Sequence, residues 1–311
     1  MATIGFIGAS GLMGHGIAKN LQARGHALHV VVHRRRDRLA DLFDHGAQEA
    51  ASPAALAAGC DTVFTCVTGT PEVEAAILGA DGVLAGVRDS GRRGLVIVDC
   101  STSEPASTSA LRAACRMRDA TFIDAPLARS AAEAEAGRLT VMVGAEEADF
   151  ARLEPLLRCF AENIFHVGGP GTGHVVKLLY NFMAQAICTS AAEAFGVGAR
   201  AGVDLHQLAA LTTAGAANSP LFQMMAKALD GDLGALRFEL DNARKDLRYY
   251  THLAEGLAVP AIVGEAVHQS LTVASALGHG AKFVPALVEA QETLARTRIV
   301  GGHRKGSGHQ T

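Results

Sequence analysis

The sequence predicts an α/β domain built on a parallel sheet, followed by an all-α domain. Three observations carry that expectation. Short apolar runs alternate with amphipathic segments through the first half of the chain. A glycine-rich turn, Gly8-Ala9-Ser10-Gly11-Leu12-Met13-Gly14, follows the first apolar run directly. After Gly168-Gly169-Pro170-Gly171 the strand-like runs cease and long stretches rich in Ala, Leu and Val take over. Strands alternating with helices form a parallel sheet covered on both faces, because each crossover helix must lie on one face of it.

Taken in order, the strand candidates are Thr3–Ile7, Leu28–Val32, Thr62–Val67, Leu95–Asp99, Thr121–Ile123, Leu139–Val143 and Ile164–Val167. Helical patterns lie between several of them, at Gly14–Arg24, Arg38–Asp44, Val73–Leu78, Pro105–Met117 and Glu147–Cys159. From His174 to Ala201 one helical stretch runs far beyond average length, and further helices are expected near 204–213, 219–229, 239–256, 261–278 and 284–296. The change of rhythm divides the chain into an α/β domain over 1–168, an all-helical domain over 169–298, and a disordered tail over 299–311.

Composition narrows the class of protein. With 311 residues, 49% hydrophobic and 19% charged, the chain has ample material for buried cores and does not read as disordered. A net charge of −3 provides no broad attraction to nucleic acid or to a membrane surface. The six cysteines are scattered, without CxxC or a partnered histidine spacing, which suits reduced thiols in a cytoplasmic protein and predicts no metal site. The opening residues lack a basic stretch ahead of an apolar one, and no apolar run reaches membrane-spanning length without charges or glycines.

The turn from Gly8 to Gly14 reads GxxGxxG, one residue longer than the usual GxGxxG dinucleotide fingerprint. Its physics is the same. Glycines permit a tight turn and close backbone approach, and the amino end of the next helix offers N–H groups to a diphosphate. Gly8, Ser10, Gly11, Leu12, Met13 and Gly14 are therefore candidate cofactor contacts in a Rossmann-type domain; the alternative is a purely structural bend. The end of the second strand bears on the choice of nicotinamide cofactor. An acid there would bind the ribose hydroxyls of NAD, but this chain has Val32-His33-Arg34-Arg35-Arg36. Guanidinium groups bind phosphate oxygens with forked donors, so His33, Arg34, Arg35 and Arg36 favour NADP(H) and leave NAD(H) admissible. Otherwise the run is a solvated basic loop.

Five blocks in order, Gly5-Phe6-Ile7-Gly8 to Asn20-Leu21, Asp99-Cys100-Ser101-Thr102, Asp124-Ala125-Pro126, Gly171-Thr172-Gly173-His174-Val175-Val176-Lys177 with Asn181, and Lys245-Asp246-Leu247, resemble the β-hydroxyacid dehydrogenases, the 3-hydroxyisobutyrate dehydrogenase-like family. The resemblance extends to about residue 296. It implies hydride transfer between a nicotinamide and the carbonyl or hydroxyl carbon of a small acid. Lys177 matches the family's catalytic lysine and Asn181 the helix residue beside it. On a helix these two sit at i and i+4, on one face. An ammonium can give a proton to the oxygen of a carbonyl being reduced, and a neutral amine can take it back. Catalysis near neutrality then requires a lowered lysine pKa, which apolar walls and a second cation, Lys245, can supply. Lys245 would face the substrate anion or the nicotinamide; the plain alternative is an exposed helix pair. Ser101 and Thr102 follow a strand end where ligands gather, and can contact nicotinamide or substrate, or cap the next helix. Val67 and Thr68 stand where the resemblance puts the adenine side of the cofactor, although the local Thr65–Gly69 stretch departs from the family's usual Met-Leu-Pro-Asn.

A second departure follows Asp124-Ala125-Pro126. Most members continue Val-Ser-Gly-Gly, whose backbone N–H groups hold the substrate carboxylate; here Leu127-Ala128-Arg129-Ser130 follows. The change is similar to the Gly-Arg-Thr/Ser variant of sulfolactaldehyde reductases, with Ala128 in place of its glycine. Arg129 and Ser130 are thus candidate readers of a small anionic substrate, be it sulfonate, dicarboxylate, phosphate or carboxylate. Alternatively, Arg129 turns to solvent or pairs with Glu133. Two other functions share the architecture: an imine reductase, and a non-catalytic NADP-binding interaction protein. Lys177 and Asn181 favour hydroxy-acid chemistry over both. The resemblance also implies a homodimer or homotetramer, and a long helix apolar nearly all round must be buried somewhere.

Overall fold

The structure, a computed structural model, describes residues 1–301. The chain divides into two compact units, Met1–Leu178 and the remainder from Leu179. The first unit begins with strand β1 (Thr3–Ile7), helix α1 (Leu12–Ala23), β2 (Ala27–Val31), α2 (Ala40–Asp44), β3 (Gln48–Ala50), α3 (Pro53–Gly59) and β4 (Thr62–Thr65). It continues through α4 (Thr70–Leu78), α5 (Val83–Ser90), β5 (Val96–Asp99), α6 (Pro105–Arg116), β6 (Thr121–Asp124), β7 (Leu127–Ala128), α7 (Ala131–Glu135), β8 (Leu139–Gly144), α8 (Glu147–Leu157) and β9 (Ala161–Gly168).

Among the described residues these strands form one nine-stranded sheet, in the order β3-β2-β1-β4-β5-β6-β8-β7, with β9 also on β8. The first six are parallel and carry the doubly wound order 3-2-1-4-5-6. Such an order reverses between β1 and β4, and ligands bind beyond the carboxyl ends of the strands at that reversal. The register brings the strand ends into one row: Ile7 pairs with Val31 and Thr65, Thr65 with Asp99, and Asp99 with Asp124. The residues that follow each of these positions therefore crowd along a single edge of the sheet.

Strands covered on both faces are apolar on both faces, and all four residues of β4 and of β5 are buried. One core contains Ile4, Phe6, Phe64, Val98 and Phe160, with the rings of Phe6 and Phe64 stacked 6.0 Å apart. The other contains Val63, Ile77, Ile97 and Phe122. The far side of the sheet departs from the all-parallel expectation, because β8 runs antiparallel to β6 and β7. Only the five-residue α7 lies between β7 and β8, and a parallel crossover needs a dozen or more residues. Asn20 fixes α7 instead on α1, donating to the Ala134 carbonyl at 3.0 Å. The sequence expectation also omits β3, whose Gln48 and Glu49 are exposed, and the Ala-rich α3, which has no apolar period to read.

Helix α9 (Thr172–Arg200, 29 residues) starts in the first unit and continues into the second. Its opening residues belong with the sheet because Asp124 binds them: Oδ1 accepts the Gly171 N–H at 2.7 Å and Oδ2 the His174 N–H at 2.9 Å. The compact unit thus extends past Gly168, where the strands end, to Leu178. The second unit continues with α10 (Leu205–Ala214), α11 (Pro220–Ala226), α12 (Leu240–Gly256), α13 (Ile262–Ala274) and α14 (Leu287–Ala295). Side chains set two of the helix starts, Asp204 accepting the N–H groups of His206 and Gln207, and Ser219 that of Phe222 ahead of Pro220. Its core gathers Phe195, Phe222, Leu240, Leu247, Leu271 and Val288. Ile299 belongs to this core and its N–H donates to Glu292, so chain expected in the tail from 299 is packed there; residues 302–311 of that tail lie outside the described residues.

Candidate active site

The glycine turn is built by steric necessity at two positions. Gly8 has φ 92, and a Cβ on it would lie 2.1 Å from the Cys66 carbonyl oxygen on the neighbouring strand end. A Cβ on Gly14 would lie 2.3 Å from the Gly8 carbonyl oxygen. Gly11 closes the turn with its N–H on the Gly8 carbonyl at 3.0 Å. No side chain caps α1, which starts immediately after Gly11. Glycine is thus required by close backbone approach, and the uncapped N–H groups at the helix amino end fit a dinucleotide diphosphate. Ser10, Leu12 and Met13 lie in this same turn and first helical residues.

The basic run after β2 is more engaged than its sequence suggests. His33 and Arg34 are exposed. Arg35 holds Asp37 with two bonds, at 3.0 and 2.7 Å. That pairing raises the arginine pKa and lowers the aspartate pKa. Arg36 binds Glu49 at 3.0 Å and lies over the Phe43 ring, 4.5 Å from its centroid. Arg38, which the motif reading passes over, reaches the Ser10 carbonyl at 3.5 Å and so sets a cation beside the glycine turn. Its sequence signal is weak, since it only opens the helical pattern just beyond the arginine run.

Along the strand ends, Ser101 Oγ accepts the Val67 N–H at 3.0 Å, bracing two adjacent loops. Thr68 is exposed and Thr102 half-buried. Neither Ser101 nor Thr102 caps α6, whose N-cap is Glu104 without a side-chain bond. Arg129 takes φ 83, a left-handed backbone in which L residues other than glycine are uncommon. Its guanidinium donates to the Arg138 carbonyl at 2.7 Å and to the Glu162 carboxylate. The pairing partner is thus Glu162 on β9 rather than Glu133. Ser130 and Glu133 form a reciprocal capping box at the start of α7, and the bond from Ser130 holds the Glu133 pKa below its ordinary value.

Lys177 is half-buried on α9, one turn after the buried His174. In the second unit, Asn181 is buried and its amide donates to Asp246 Oδ2 at 2.6 Å. Asp246, itself buried, also pairs with Lys245 through Oδ1 at 2.9 Å, and the Lys245 ammonium lies 5.0 Å from the centre of the Tyr249 ring. One buried carboxylate therefore orients both Asn181 and Lys245, a role that spacing alone does not reveal. Among the described residues no group of three His, Cys, Asp or Glu side chains is arranged to hold a metal ion, and no helix is long and apolar enough to cross a membrane.

A doubly wound sheet with a glycine cradle at its switch point, followed by a helical unit, defines an NAD(P)-dependent oxidoreductase of the Rossmann type. Residues 3–168 match the NAD binding domain of 6-phosphogluconate dehydrogenase, and residues 171–290 match the NAD-binding of NADP-dependent 3-hydroxyisobutyrate dehydrogenase. The chain is 31% identical over 289 residues to a probable mitochondrial 3-hydroxyisobutyrate dehydrogenase of Dictyostelium discoideum, covering 90% of this chain and 88% of the relative. It is also 31% identical over 291 residues to the 3-sulfolactaldehyde reductase of Escherichia coli strain K12, covering 93% and 95%. A crystal structure of 3-hydroxyisobutyrate dehydrogenase from Salmonella typhimurium superposes with a TM-score of 0.78 at 29% identity, over 92% of this chain and 99% of the other. The chain belongs to the β-hydroxyacid dehydrogenase family.

Proposed function

We propose that this enzyme interconverts a small 3-hydroxy acid, or hydroxy sulfonate, and its aldehyde, with NADP(H) as preferred cofactor and Lys177 as general acid and base. The observation that carries this reading is the setting of Lys177. It stands one turn beyond residues that Asp124 and the sheet edge hold, and four residues before Asn181, whose amide Asp246 fixes. The bound nicotinamide supplies or accepts the hydride. In the reducing direction the Lys177 ammonium gives its proton to the carbonyl oxygen, which leaves the hydroxyl; in the oxidising direction the neutral amine takes that proton back. Asn181 orients the reacting groups, and Lys245 binds the substrate anion or the nicotinamide.

The turn from Gly8 to Gly14, with Ser10, Gly11, Leu12 and Met13, is assigned to the diphosphate. Val67 and Thr68 are assigned to the adenine side, and Thr102 to the nicotinamide side. NADP(H) is favoured by the absence of an acid over His33, Arg34, Arg35 and Arg36, with His33 and Arg34 exposed. Ser101, Arg129 and Ser130 are assigned to the substrate. Because Arg129 already holds Glu162, anion recognition there exchanges the Glu162 carboxylate for the anionic group of the substrate. Loss of reduced-nicotinamide absorbance, followed with NADPH and NADH against 3-sulfolactaldehyde and semialdehydes of small 3-hydroxy acids, tests the reading. Turnover with a higher kcat/KM for NADPH is expected. A clear NADH preference overturns the cofactor assignment, and no turnover of any member overturns the substrate class.

The same reading includes a homodimer or homotetramer, supported by the exposed Leu179, Met183 and Val197 along α9. A monomeric mass in light scattering would contradict it.

A further inference from the structure

Three fully buried polar residues meet at the carboxyl edge of the sheet, outside the roles assigned so far. Asp99 ends β5, Thr108 lies in the first turn of α6, and His174 lies in the first turn of α9. Asp99 Oδ1 accepts the Thr65 hydroxyl at 2.8 Å and the Ser101 N–H at 2.9 Å, while Oδ2 accepts the Ser103 hydroxyl at 3.1 Å. His174 Nε2 stands 3.6 Å from that same Oδ2 and has no hydrogen-bond partner among the described residues. Its Nδ1 lies 2.7 Å from the Thr108 hydroxyl.

Buried imidazoles engage both ring nitrogens, because an unpaired polar atom away from water is costly. A bare lone pair on Nε2 would face the lone pairs of a buried carboxylate across a dry gap, where repulsion is little screened. The arrangement that avoids this carries a hydrogen on Nε2, aimed at Asp99, with Nδ1 accepting the hydrogen of the Thr108 hydroxyl, which lies 2.7 Å from Nδ1 and 3.2 Å from its other acceptor, the Glu104 carbonyl. At 3.6 Å the contact with Asp99 is electrostatic attraction rather than a hydrogen bond.

Resting on the reading of Lys177 as acid and base, we infer that Asp99, His174 and Thr108 form a positioning device for hydride transfer, tying the helical turn that carries Lys177 to the loop that carries Ser101 and Thr102. One carboxylate takes both the Ser101 N–H and the attraction of the His174 ring, so neither the loop nor the helix start moves alone. Thr108 closes the third side from α6 and fixes the ring plane. Lys177 follows His174 by three residues, about one helical turn, and its direction is inherited from that turn. A shift of about 1 Å in such a group costs about a hundredfold in rate.

The test uses the full chain with NADPH and the best substrate of the wild type, comparing His174→Leu, Thr108→Val and Thr108→Ser, with Lys177→Ala in parallel. Expected are a kcat lower by roughly 10–100-fold in His174→Leu and about tenfold in Thr108→Val, recovery to within about twofold in Thr108→Ser, and an unchanged KM for NADPH. Side-chain 15N spectra of histidine-labelled protein should place a hydrogen on Nε2 of His174. A folded His174→Leu or Thr108→Val with wild-type kcat overturns the device, and so does an unprotonated Nε2. If His174→Leu fails to fold, the Thr108 pair and the spectrum decide. Wild-type turnover by Lys177→Ala would defeat the reading of Lys177 itself; an inactive Lys177→Ala beside a fully active Thr108→Val defeats only the positioning device.

Discussion

The turn at Gly8 and the turn at Arg129 both follow a strand and both use left-handed backbone, at φ 92 and φ 83, yet they are held in opposite ways. At Gly8 the neighbouring Cys66 carbonyl occupies the space a Cβ would need, so no L side chain fits. At Arg129 there is room for a side chain, and the Glu162 carboxylate and Arg138 carbonyl anchor it. The contrast separates two reasons for unusual backbone. One is close approach, which only glycine allows. The other is a conformational cost of about 1–2 kcal/mol that a well-anchored side chain offsets.

The largest effect that can break this contrast is expected at Gly8→Ala. Overpacking of about 1–3 kcal/mol adds to left-handed strain of about 1–2 kcal/mol, so the unfolding midpoint should fall by roughly 6–12 °C with NADPH binding lost. Gly11→Ala should be mild by comparison, since its Cβ would lie 3.2 Å from the Gly8 carbonyl oxygen and its backbone is extended at φ −77. A Gly8→Ala protein as stable as wild type would remove the steric argument. At Arg129 the sizes are smaller. Arg129→Gly relieves the strain that Arg129→Ala retains, so the glycine variant should be the more stable of the two by about 1 kcal/mol in chemical denaturation. In turnover, Arg129→Gly should lose sulfonate and dicarboxylate substrates while sparing monocarboxylates; equal losses on all three would remove Arg129 from anion recognition.

The smallest effect concerns His15, which ties α1 to its neighbours by donating to Glu135 at 2.6 Å and Asp41 at 3.0 Å. Burial opposes charge on this imidazole, but the bonds to Asp41 and Glu135 outweigh it and raise its pKa. Against their own burial, the bonds from His15 hold Asp41 and Glu135 below their ordinary values, Lys19 assisting at Glu135. The histidine contribution is complete below its unfolded pKa and is lost as pH rises through the raised folded value. The carboxylate contributions are complete above their unfolded values and are lost as pH falls through the lowered ones. The stability gap between wild type and His15→Gln should therefore peak between about pH 4.5 and 6.5 and stay near 0.5–1 kcal/mol, roughly what solvent screening leaves to a part-exposed pair. A gap that grows toward alkaline pH would contradict the assignment.

Legibility in the sequence follows the same division. The Gly8 turn can be read directly because close approach demands glycine whatever the rest of the chain does. Lys177 and Asn181 stand out through the resemblance to the family's motif, and four residues on a helix put them on a shared face. Arg129 as a departure from the family is visible, but its partner is not: Glu162 lies 33 residues away, whereas the local candidate Glu133 serves Ser130. The Thr108–His174 contact spans 66 residues and the Asn181–Asp246 bond 65, distances at which only the fold brings side chains together. In the sheet, the strands from β1 to β6 announce themselves through apolar runs, with the exposed edge strand β3 as the exception. The two-residue β7 carries no period, so the antiparallel edge was beyond reach.

Lys177→Ala tests the central claim most directly. In the full-length protein, kcat with NADPH should fall by roughly a thousandfold, within the range of about 10²–10⁴ for removal of a general acid–base group, while the Kd for NADPH from fluorescence titration stays within about twofold of wild type. A variant that keeps kcat within about tenfold of wild type would contradict the assignment of Lys177 as the proton donor and acceptor.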